Sequence, residues 1–308
     1  MNILDAIGNT SLVQLRKVVP SNGASIFVKL EWQNPTGSMK DRMAMSMISG
    51  GENTGRLKPG GTVVEYTGGS TGASLALVAA AKGYRMKIVT SDAASKEKRD
   101  QMAALGADLT LVPTEEPGRT TKKLILDMIE TARRMSREPN TFWTDQLNNP
   151  DNVAGYFPLA EEIWKQTNGR IDAFVQAVGT AASLRGTATG LKKHNPAMKA
   201  IAIEPGESAV LSGGQPASHN IEGVGIGYTP PLWDPSIVDG IETVKTDEAK
   251  AMARRLAREE ALFAGTSSGA NVVAALRVAE RLGPKATVVT LMVDSGLKYV
   301  NTDVYRRA

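Results

Sequence analysis

The sequence contains no cysteine and only two histidines, His194 and His219. The lack of cysteine excludes disulfides, thiolate metal sites and a cysteine nucleophile. Two isolated histidines do not favour a zinc site, and we interpret each as a structural or surface residue. We therefore expect no metal, and expect the chemistry to come from Lys, Ser, Thr, Asp or Glu side chains or from a bound cofactor. Aromatic residues make up only 5% of the chain, so aliphatic side chains must fill most of the core.

Long apolar segments are missing as well. No run of about 18 uninterrupted apolar residues occurs, so no transmembrane helix is predicted. The N-terminal sequence lacks the basic and apolar segments of a secretory signal, and we expect a cytoplasmic protein that binds no membrane. The net charge of +4 comes from 36 basic and 32 acidic residues. The densest basic stretches, residues 96–99 and 133–137, are interpreted as solvated faces and not as a nucleic-acid groove.

Short β-type segments alternate with helical patterns along the chain. Strands are predicted at residues 25–30, 62–65, 86–89, 108–112, 173–178, 200–204 and 286–292. Helices are predicted at residues 38–48, 73–82, 96–105, 121–134, 153–166, 184–193, 246–260 and 269–282. This alternation predicts an α/β fold with parallel-rich sheets flanked by helices. A polar stretch at residues 148–152 separates two such series and predicts two lobes, and residues 206–235 are interpreted as a long ordered loop.

Two loops follow predicted strands and precede predicted helices, which is where open α/β sheets bind ligands, and a third candidate loop opens a predicted helix. Residues 67–72 (TGGSTG) are rich in glycine, so their backbone could approach an anion at a helix start. Residues 179–183 (GTAAS) could cradle a phosphate in the same way, and residues 265–269 (GTSSG) open a third helix. Each loop also has an ordinary interpretation, as a βα turn, a helix start or a serine N-cap.

Lys40 lies just inside a predicted helix, after the turn Asn-Pro-Thr-Gly at residues 34–37. A lysine at such a position commonly points to solvent. The positive end of the helix dipole, however, disfavours an ammonium group and eases the formation of a neutral, nucleophilic amine. None of these four signals identifies a function by itself.

Taken together and in this order, the segments resemble the fold-type II pyridoxal-phosphate enzymes, and within them the cysteine synthase and cystathionine β-synthase family. The resemblance covers nearly the whole chain, from IGNTSLVQL at residues 7–15 to DSGLKY at residues 294–299. It implies a two-lobed fold, similar to the tryptophan synthase β subunit. The smaller lobe is expected at residues 41–145, with the carboxylate loop. The larger lobe is expected at residues 1–40 and 146–308, with the cofactor contacts.

The resemblance also implies a role for each candidate residue. Lys40 is expected to be the catalytic residue that bonds to pyridoxal 5′-phosphate. The further cofactor-binding residues implied are Ser70, Gly179, Thr180, Ala181, Ala182, Ser183 and, at the pyridine nitrogen, Ser267. The substrate-binding residues implied are Thr67, Gly68, Gly69, Thr71, Gln146 and Gly225.

The activity that the resemblance implies is replacement of the β-substituent of an O-activated serine by sulfide, giving cysteine through an aminoacrylate. A homodimer and docking of an acetyltransferase tail are implied as partners. The chain departs from the family pattern at Gly68 and Ser70, where serine and asparagine are usual, and at Ala181 and Ala182, where glycines are usual. One lost hydrogen bond to a charged group costs about 1.5–3 kcal/mol, so the substrate preference stays open.

Several other functions remain open at this point. A lyase, either a cysteine desulfhydrase or a serine-type dehydratase, would use the same cofactor, and so would a β-synthase with another nucleophile. A cofactor-binding protein that acts mainly through a partner is a non-enzymatic alternative, which the retained Lys40 and Ser267 disfavour. A dinucleotide-binding oxidoreductase is disfavoured because the chain has no GxGxxG motif followed by an acidic residue about 20 positions later.

Overall fold

The computed structural model describes residues 1–20, 23–114 and 121–306. The strands are β1 (Leu12–Gln14), β2 (Ser25–Leu30), β3 (Thr62–Tyr66), β4 (Arg85–Ser91), β5 (Ala107–Val112), β6 (Thr141–Trp143), β7 (Ala173–Ala177), β8 (Lys199–Pro205), β9 (Gly240–Val244) and β10 (Thr287–Met292). The α-helices are α1 (Lys40–Asn53), α2 (Ser70–Lys82), α3 (Lys96–Ala104), α4 (Lys122–Met135), α5 (Pro150–Ala154), α6 (Phe157–Gln166), α7 (Ala182–His194), α8 (Thr246–Glu259) and α9 (Thr266–Leu282). The predicted α/β fold with parallel-rich sheets and flanking helices is confirmed.

The chain divides into two compact units, and each contains one sheet. The first unit comprises Met1–Ile7 and Lys40–Gly155. Its sheet has four strands in the order β5-β4-β3-β6, and all of its pairings are parallel. The second unit comprises Gly8–Met39 and Tyr156–Ala308. Its sheet has six strands in the order β1-β2-β10-β7-β8-β9, all parallel except the antiparallel edge strand β1.

The central strands explain why the sequence folds into parallel sheets. Every residue of β3 (TVVEY) and of β7 (AFVQA) is buried. Strands that are covered on both faces need nearly continuous apolar sequences and do not alternate between apolar and polar residues. Each of these two strands nevertheless carries a strongly polar residue, Glu65 in β3 and Gln176 in β7, and both side chains are fully buried.

The structure differs from the sequence prediction at several elements. The single helix predicted over residues 153–166 is two helices, α5 and α6, with a break at Gly155. Pro158 cannot donate the hydrogen bond that would continue one helix through this point. A Cβ atom on Gly155 would lie only 2.8 Å from the carbonyl oxygen of Arg42, which shows how closely the backbones approach there. The strands β1, β6 and β9 were not predicted, because they have only three to five residues and their hydrophobic pattern is weak.

Three helices begin two or three residues earlier than their apolar patterns indicate. Helix α2 begins at Ser70, α7 at Ala182 and α9 at Thr266. Each start therefore lies inside one of the loops that the sequence singles out. As a result, polar residues of these loops belong to the first helical turn, where backbone N–H groups have no partner within the helix.

Candidate active site

The loop after β3 leads directly into helix α2. Gly69 is the N-cap residue of α2, and no side chain caps the helix there. The N–H group of Gly69 instead donates to Oγ1 of Thr67 at 3.1 Å. A Cβ atom on Gly72 would lie 2.3 Å from Sδ of Met102, whereas no atom lies within 4 Å of a Cβ placed on Gly68. The loop is thus tightly packed at Gly72 and open at Gly68.

Thr71 and Gln146, both implied as substrate-binding residues, are in direct contact. Oγ1 of Thr71 donates to Oε1 of Gln146 at 2.9 Å, and Nε2 of Gln146 donates to the carbonyl oxygen of Tyr66 at 2.8 Å. Both side chains are buried. The structure therefore joins the start of α2 to the segment that follows β6, and fixes the orientation of the Gln146 amide.

Beneath this contact, the Glu65 carboxylate is fully buried in β3 and accepts hydrogen bonds on both oxygens. Oε2 accepts from Oγ1 of Thr144 at 2.7 Å and from the N–H group of Gln146 at 2.9 Å. Oε1 accepts from the N–H group of Tyr66 at 2.9 Å and from Nε1 of Trp143 at 3.3 Å. Burial raises the pKa of Glu65 to about 7, and these hydrogen bonds oppose the rise.

The loop after β7 has an unusual backbone at Ala181. This residue is the N-cap of α7 and has a φ of 69°, in the left-handed region that non-glycine residues rarely adopt. No side chain caps α7, and its first turn contains no acidic residue. Thr180 accepts a long hydrogen bond of 3.4 Å from the N–H group of Ala182, and Oγ of Ser183 accepts from Nε2 of Gln176 at 2.5 Å.

Gly179 and Gly225 also lie together. The N–H group of Gly225 donates to the carbonyl oxygen of Val178 at 2.9 Å. A Cβ atom on Gly179 would lie 2.3 Å from the carbonyl oxygen of Gly223, so only glycine fits there without movement of the loop. Both glycines line one small cavity together with Tyr228.

Ser267 is the second residue of α9 and is buried. The first turn of α9 contains no acidic residue. Asn271, one turn further along, accepts from the N–H group of Ala177 and donates to the carbonyl oxygen of Leu291, both at 2.8 Å. These two bonds fix α9 against the ends of β7 and β10 and so determine where Ser267 lies.

Lys40 is the first residue of α1 and is half-buried. The preceding turn contains Gly37, with a φ of 74° and a hydrogen bond from its N–H group to the carbonyl oxygen of Asn34 at 2.7 Å. The N–H group of Met39 then donates to the carbonyl oxygen of Val293 at 3.0 Å, which attaches this segment to the end of β10. The predicted position of Lys40, just inside a helix that follows a turn, is confirmed.

Sequence analysis did not single out Glu65, Gln176 or Asn271, although all three make buried hydrogen bonds that shape the candidate site. A signal was present for the first two, since each is a strongly polar residue inside a largely apolar strand. Buried polar groups are nearly always hydrogen-bonded, so such residues indicate a specific contact. Asn271 gives no comparable signal in the sequence.

Neither a metal cluster nor a membrane helix is found within the described residues. These residues contain no group of three or more His, Asp or Glu side chains placed to hold a metal ion. None of their helices combines the length and apolar character that crossing a membrane requires.

Comparison with known proteins connects this geometry to a family. Residues 3–294 match the family model described as pyridoxal-phosphate dependent enzyme. A cysteine synthase of Staphylococcus aureus is 42% identical over 306 residues, covering 99% of this chain and 96% of the relative. The solved cysteine synthase (OASS) of Entamoeba histolytica is 38% identical with a TM-score of 0.93, covering 100% of this chain and 91% of that one. A solved O-ureido-L-serine synthase is 35% identical with a TM-score of 0.91, covering 98% of this chain and 94% of that one.

Proposed function

Since the chain belongs to the family of pyridoxal-phosphate dependent enzymes, we propose that it replaces the β-substituent of O-acetylserine, or of a close O-activated serine, by sulfide to form cysteine. The observation that carries this proposal is the hydrogen bond between Thr71 and Gln146 at the uncapped start of α2. This contact supports the binding of an amino-acid carboxylate at the start of α2, in a chain that matches a cysteine synthase over almost its full length.

The residues at the start of α7 fit the phosphate of the cofactor. An uncapped helix N-terminus offers free N–H groups and the positive end of the dipole, which together favour an anion. The first turn carries no acidic side chain that would repel a phosphate. We assign phosphate binding to Gly179, Thr180, Ala181, Ala182 and Ser183.

When bound, pyridoxal phosphate supplies an electron sink that eases removal of the α-proton and loss of the β-substituent. Lys40 is proposed to hold the cofactor through its amine. When not bonded to the cofactor, the amine of Lys40 would remove the proton from the substrate Cα as a general base. The position of Lys40 at the start of α1 supports the neutral form of the amine that this step needs.

Substrate binding is assigned first to Thr67, Gly68, Gly69 and Thr71, in the loop after β3 and the first turn of α2. The Thr67 hydroxyl and the N–H groups of Gly68 and Thr71 are the proposed donors to the carboxylate, and the Gln146 amide completes this set. Gly225 is assigned to substrate binding, and Ser70 to contact with the cofactor. These roles are supported by the hydrogen bonds around Thr71 and by the close packing around Gly225.

Ser267 is proposed to face the pyridine nitrogen. Its neutral hydroxyl does not hold a proton on that nitrogen as a carboxylate would. The electron sink is therefore weaker, which favours prompt loss of the β-substituent over transamination. Replacing Ser267 by Asp should change the visible spectrum and the ratio of products, and unchanged values would contradict this role.

The departures at Gly68 and Ser70 bear on which O-activated serine is used. Gly68 offers no hydroxyl, and Ser70 offers a shorter donor than the amide that is usual in the family. Because a cysteine synthase and an O-ureido-L-serine synthase are both similar to this chain, the nucleophile has to be measured.

The test is a product assay with purified yellow protein. O-acetylserine and sulfide should give cysteine, with little pyruvate in the absence of sulfide. Pyruvate as the main product, with or without sulfide, would indicate a lyase and contradict the proposal. If no cysteine forms and the enzyme instead rapidly turns over another O-activated serine or another nucleophile, the proposal is contradicted in favour of a different β-synthase.

A cytoplasmic location, a homodimer and an acetyltransferase tail as partner are further proposals, and the family resemblance supports them. We also propose that residues 41–145 form the smaller lobe with the carboxylate loop, and that residues 1–40 and 146–308 form the larger lobe with the cofactor contacts. Sedimentation of the holoenzyme, alone and with the terminal peptide of a serine acetyltransferase, would test the assembly.

A further inference from the structure

The buried carboxylate of Glu65 has no role in the chemistry described so far. It lies in β3, one of the two inner strands of the first unit's sheet, and is completely shielded from solvent. Four donors converge on it, two on each oxygen. Removing a carboxylate from water is costly, and hydrogen bonds only offset that cost, so an apolar residue would serve the core better if packing were the only requirement.

The contacts of one carboxylate oxygen identify the segment that Glu65 holds. Oε2 accepts from the Thr144 hydroxyl and from the Gln146 N–H group, which flank Asp145 on either side. Asp145 has a φ of 46°, in the left-handed region. Aspartate enters this region more readily than most residues, but not without strain. Glu65 therefore fastens both sides of a strained turn.

The strained turn determines where the Gln146 side chain lies. Its amide spans the distance between the Thr71 hydroxyl and the carbonyl oxygen of Tyr66. A second bond, from Nδ2 of Asn152 to the carbonyl oxygen of Gln146 at 2.6 Å, holds the far side of the same residue. The hydrogen bond from the Gln146 N–H group to Glu65 keeps the backbone of Gln146 close to Thr71. Without this bond, the backbone would be free to move away.

We propose that Glu65 is a positioning residue for substrate binding, which fixes Gln146 against Thr71 so that the Gln146 amide and the N–H groups at the start of α2 can receive the substrate carboxylate. This inference rests on the proposed function of Thr71 and Gln146. Glu65 itself touches neither substrate nor cofactor in this scheme. It acts through the backbone of Gln146.

The chemistry of the site requires a carboxylate and not merely a polar residue of the same size. Glu65→Gln keeps the shape but replaces one acceptor oxygen by an NH₂ group. Either orientation of the amide then points this donor at a backbone N–H group, that of Tyr66 or that of Gln146. The Thr144 hydroxyl can rotate to accept a hydrogen bond, but a backbone N–H group cannot.

The matched control is Trp143→Phe, which removes a donor to the other oxygen of Glu65, Oε1, and leaves in place both hydrogen bonds that hold the turn around Asp145. Steady-state rates are measured at pH 8 with O-acetylserine varied and sulfide fixed. Glu65→Gln should raise KM about tenfold and change kcat less than threefold. Trp143→Phe should lower the melting temperature while leaving KM within about twofold. Equal changes in KM for the two variants would overturn the inference, since the effect would then be a general loss of packing.

A double-mutant cycle tests whether Glu65 acts through Gln146. In a Gln146→Ala background, Glu65→Gln should change KM less than twofold further. Independent effects that multiply would overturn the inference. If Glu65→Gln does not fold, Glu65→Asp, which keeps the charge but cannot reach both oxygens' donors, replaces it with the same expected pattern.

A binding measurement separates this inference from the proposed function. The dissociation constant of L-alanine, an amino acid with no leaving group, is obtained from the change in visible absorbance of the holoenzyme. Glu65→Gln should weaken L-alanine binding about tenfold, and Trp143→Phe should not. If the wild-type protein makes no cysteine, but L-alanine binding is weakened in Glu65→Gln and not in the control variant, the proposed function fails and the inference stands. If the wild-type protein makes cysteine and the two variants bind L-alanine equally well, the inference fails alone.

Discussion

The hydroxyl of Thr71 donates a hydrogen bond to the side chain of Gln146, although 75 residues of sequence separate them. Thr71 lies in the first turn of α2, and Gln146 follows β6, the neighbour of β3 in the sheet. Parallel pairing of β3 with β6 places the carboxyl ends of both strands at one edge, and this edge carries the proposed substrate site.

Removing the Thr71 hydroxyl should therefore weaken substrate binding. Thr71→Val leaves the buried Oε1 of Gln146 without this donor, at a cost of about 1–3 kcal/mol. We expect KM for O-acetylserine to rise roughly tenfold, while Thr71→Ser, which keeps the hydroxyl, changes it little. Steady-state kinetics of the two variants check this. An equal KM for both would show that the Thr71 hydroxyl does not contribute to substrate binding.

Adding a hydroxyl at Gly68 should have the opposite effect. A Cβ atom there would have no atom of the described residues within 4 Å, so Gly68→Ser introduces the family's usual residue without a clash at Cβ. We expect the melting temperature to stay within a few degrees and KM for O-acetylserine to fall severalfold. Gly72→Ser is the contrasting variant, because its Cβ atom would lie 2.3 Å from Met102. A raised KM in Gly68→Ser would indicate that the open space belongs to another substrate.

The left-handed backbone of Ala181 predicts a stabilising substitution. An L-residue in this conformation costs roughly 1 kcal/mol, and glycine does not. Ala181→Gly should thus raise the free energy of unfolding by about 0.5–1 kcal/mol, whereas Ala182→Gly, at the first position of α7, should lower it by less than the ~1 kcal/mol that glycine costs in a helix interior.

Urea unfolding of the two cofactor-saturated variants measures both changes. Opposite signs are expected at these adjacent alanines. A loss of stability in Ala181→Gly as large as that in Ala182→Gly would mean that Ala181 is not strained.

The sequence alone was sufficient to predict the α/β alternation, the loops and the position of Lys40, because strand and helix periodicities are local signals. It did not predict that α2, α7 and α9 begin inside those loops, because glycine, serine and threonine carry no apolar periodicity. Nor did it predict the buried network of Glu65. That network depends on which strands become neighbours, and pairing between β3 and β6 is a property of the whole fold.

The raised pKa of Glu65 predicts how stability changes with pH. Burial raises the pKa from 4.5 to about 7, so between these values the folded protein retains a proton that the unfolded chain has released. The contribution of Glu65 to stability is then present at low pH and is lost as the pH rises through about 7, by up to about 3 kcal/mol.

Glu65→Gln removes this titration. The unfolding free energy of wild type minus that of the variant should fall between pH 5 and pH 8. A difference that stays constant or rises over this range would show that the hydrogen bonds outweigh burial at Glu65.

The most direct test of the account is the site at which the cofactor is attached. Borohydride reduction of the yellow holoenzyme makes the bond between a lysine amine and the cofactor aldehyde permanent, and mass spectrometry of a digest locates it. The account predicts the added mass on the peptide that contains Lys40, and its loss in Lys40→Ala. Added mass on another lysine, or on none, would contradict the central claim that Lys40 holds the cofactor.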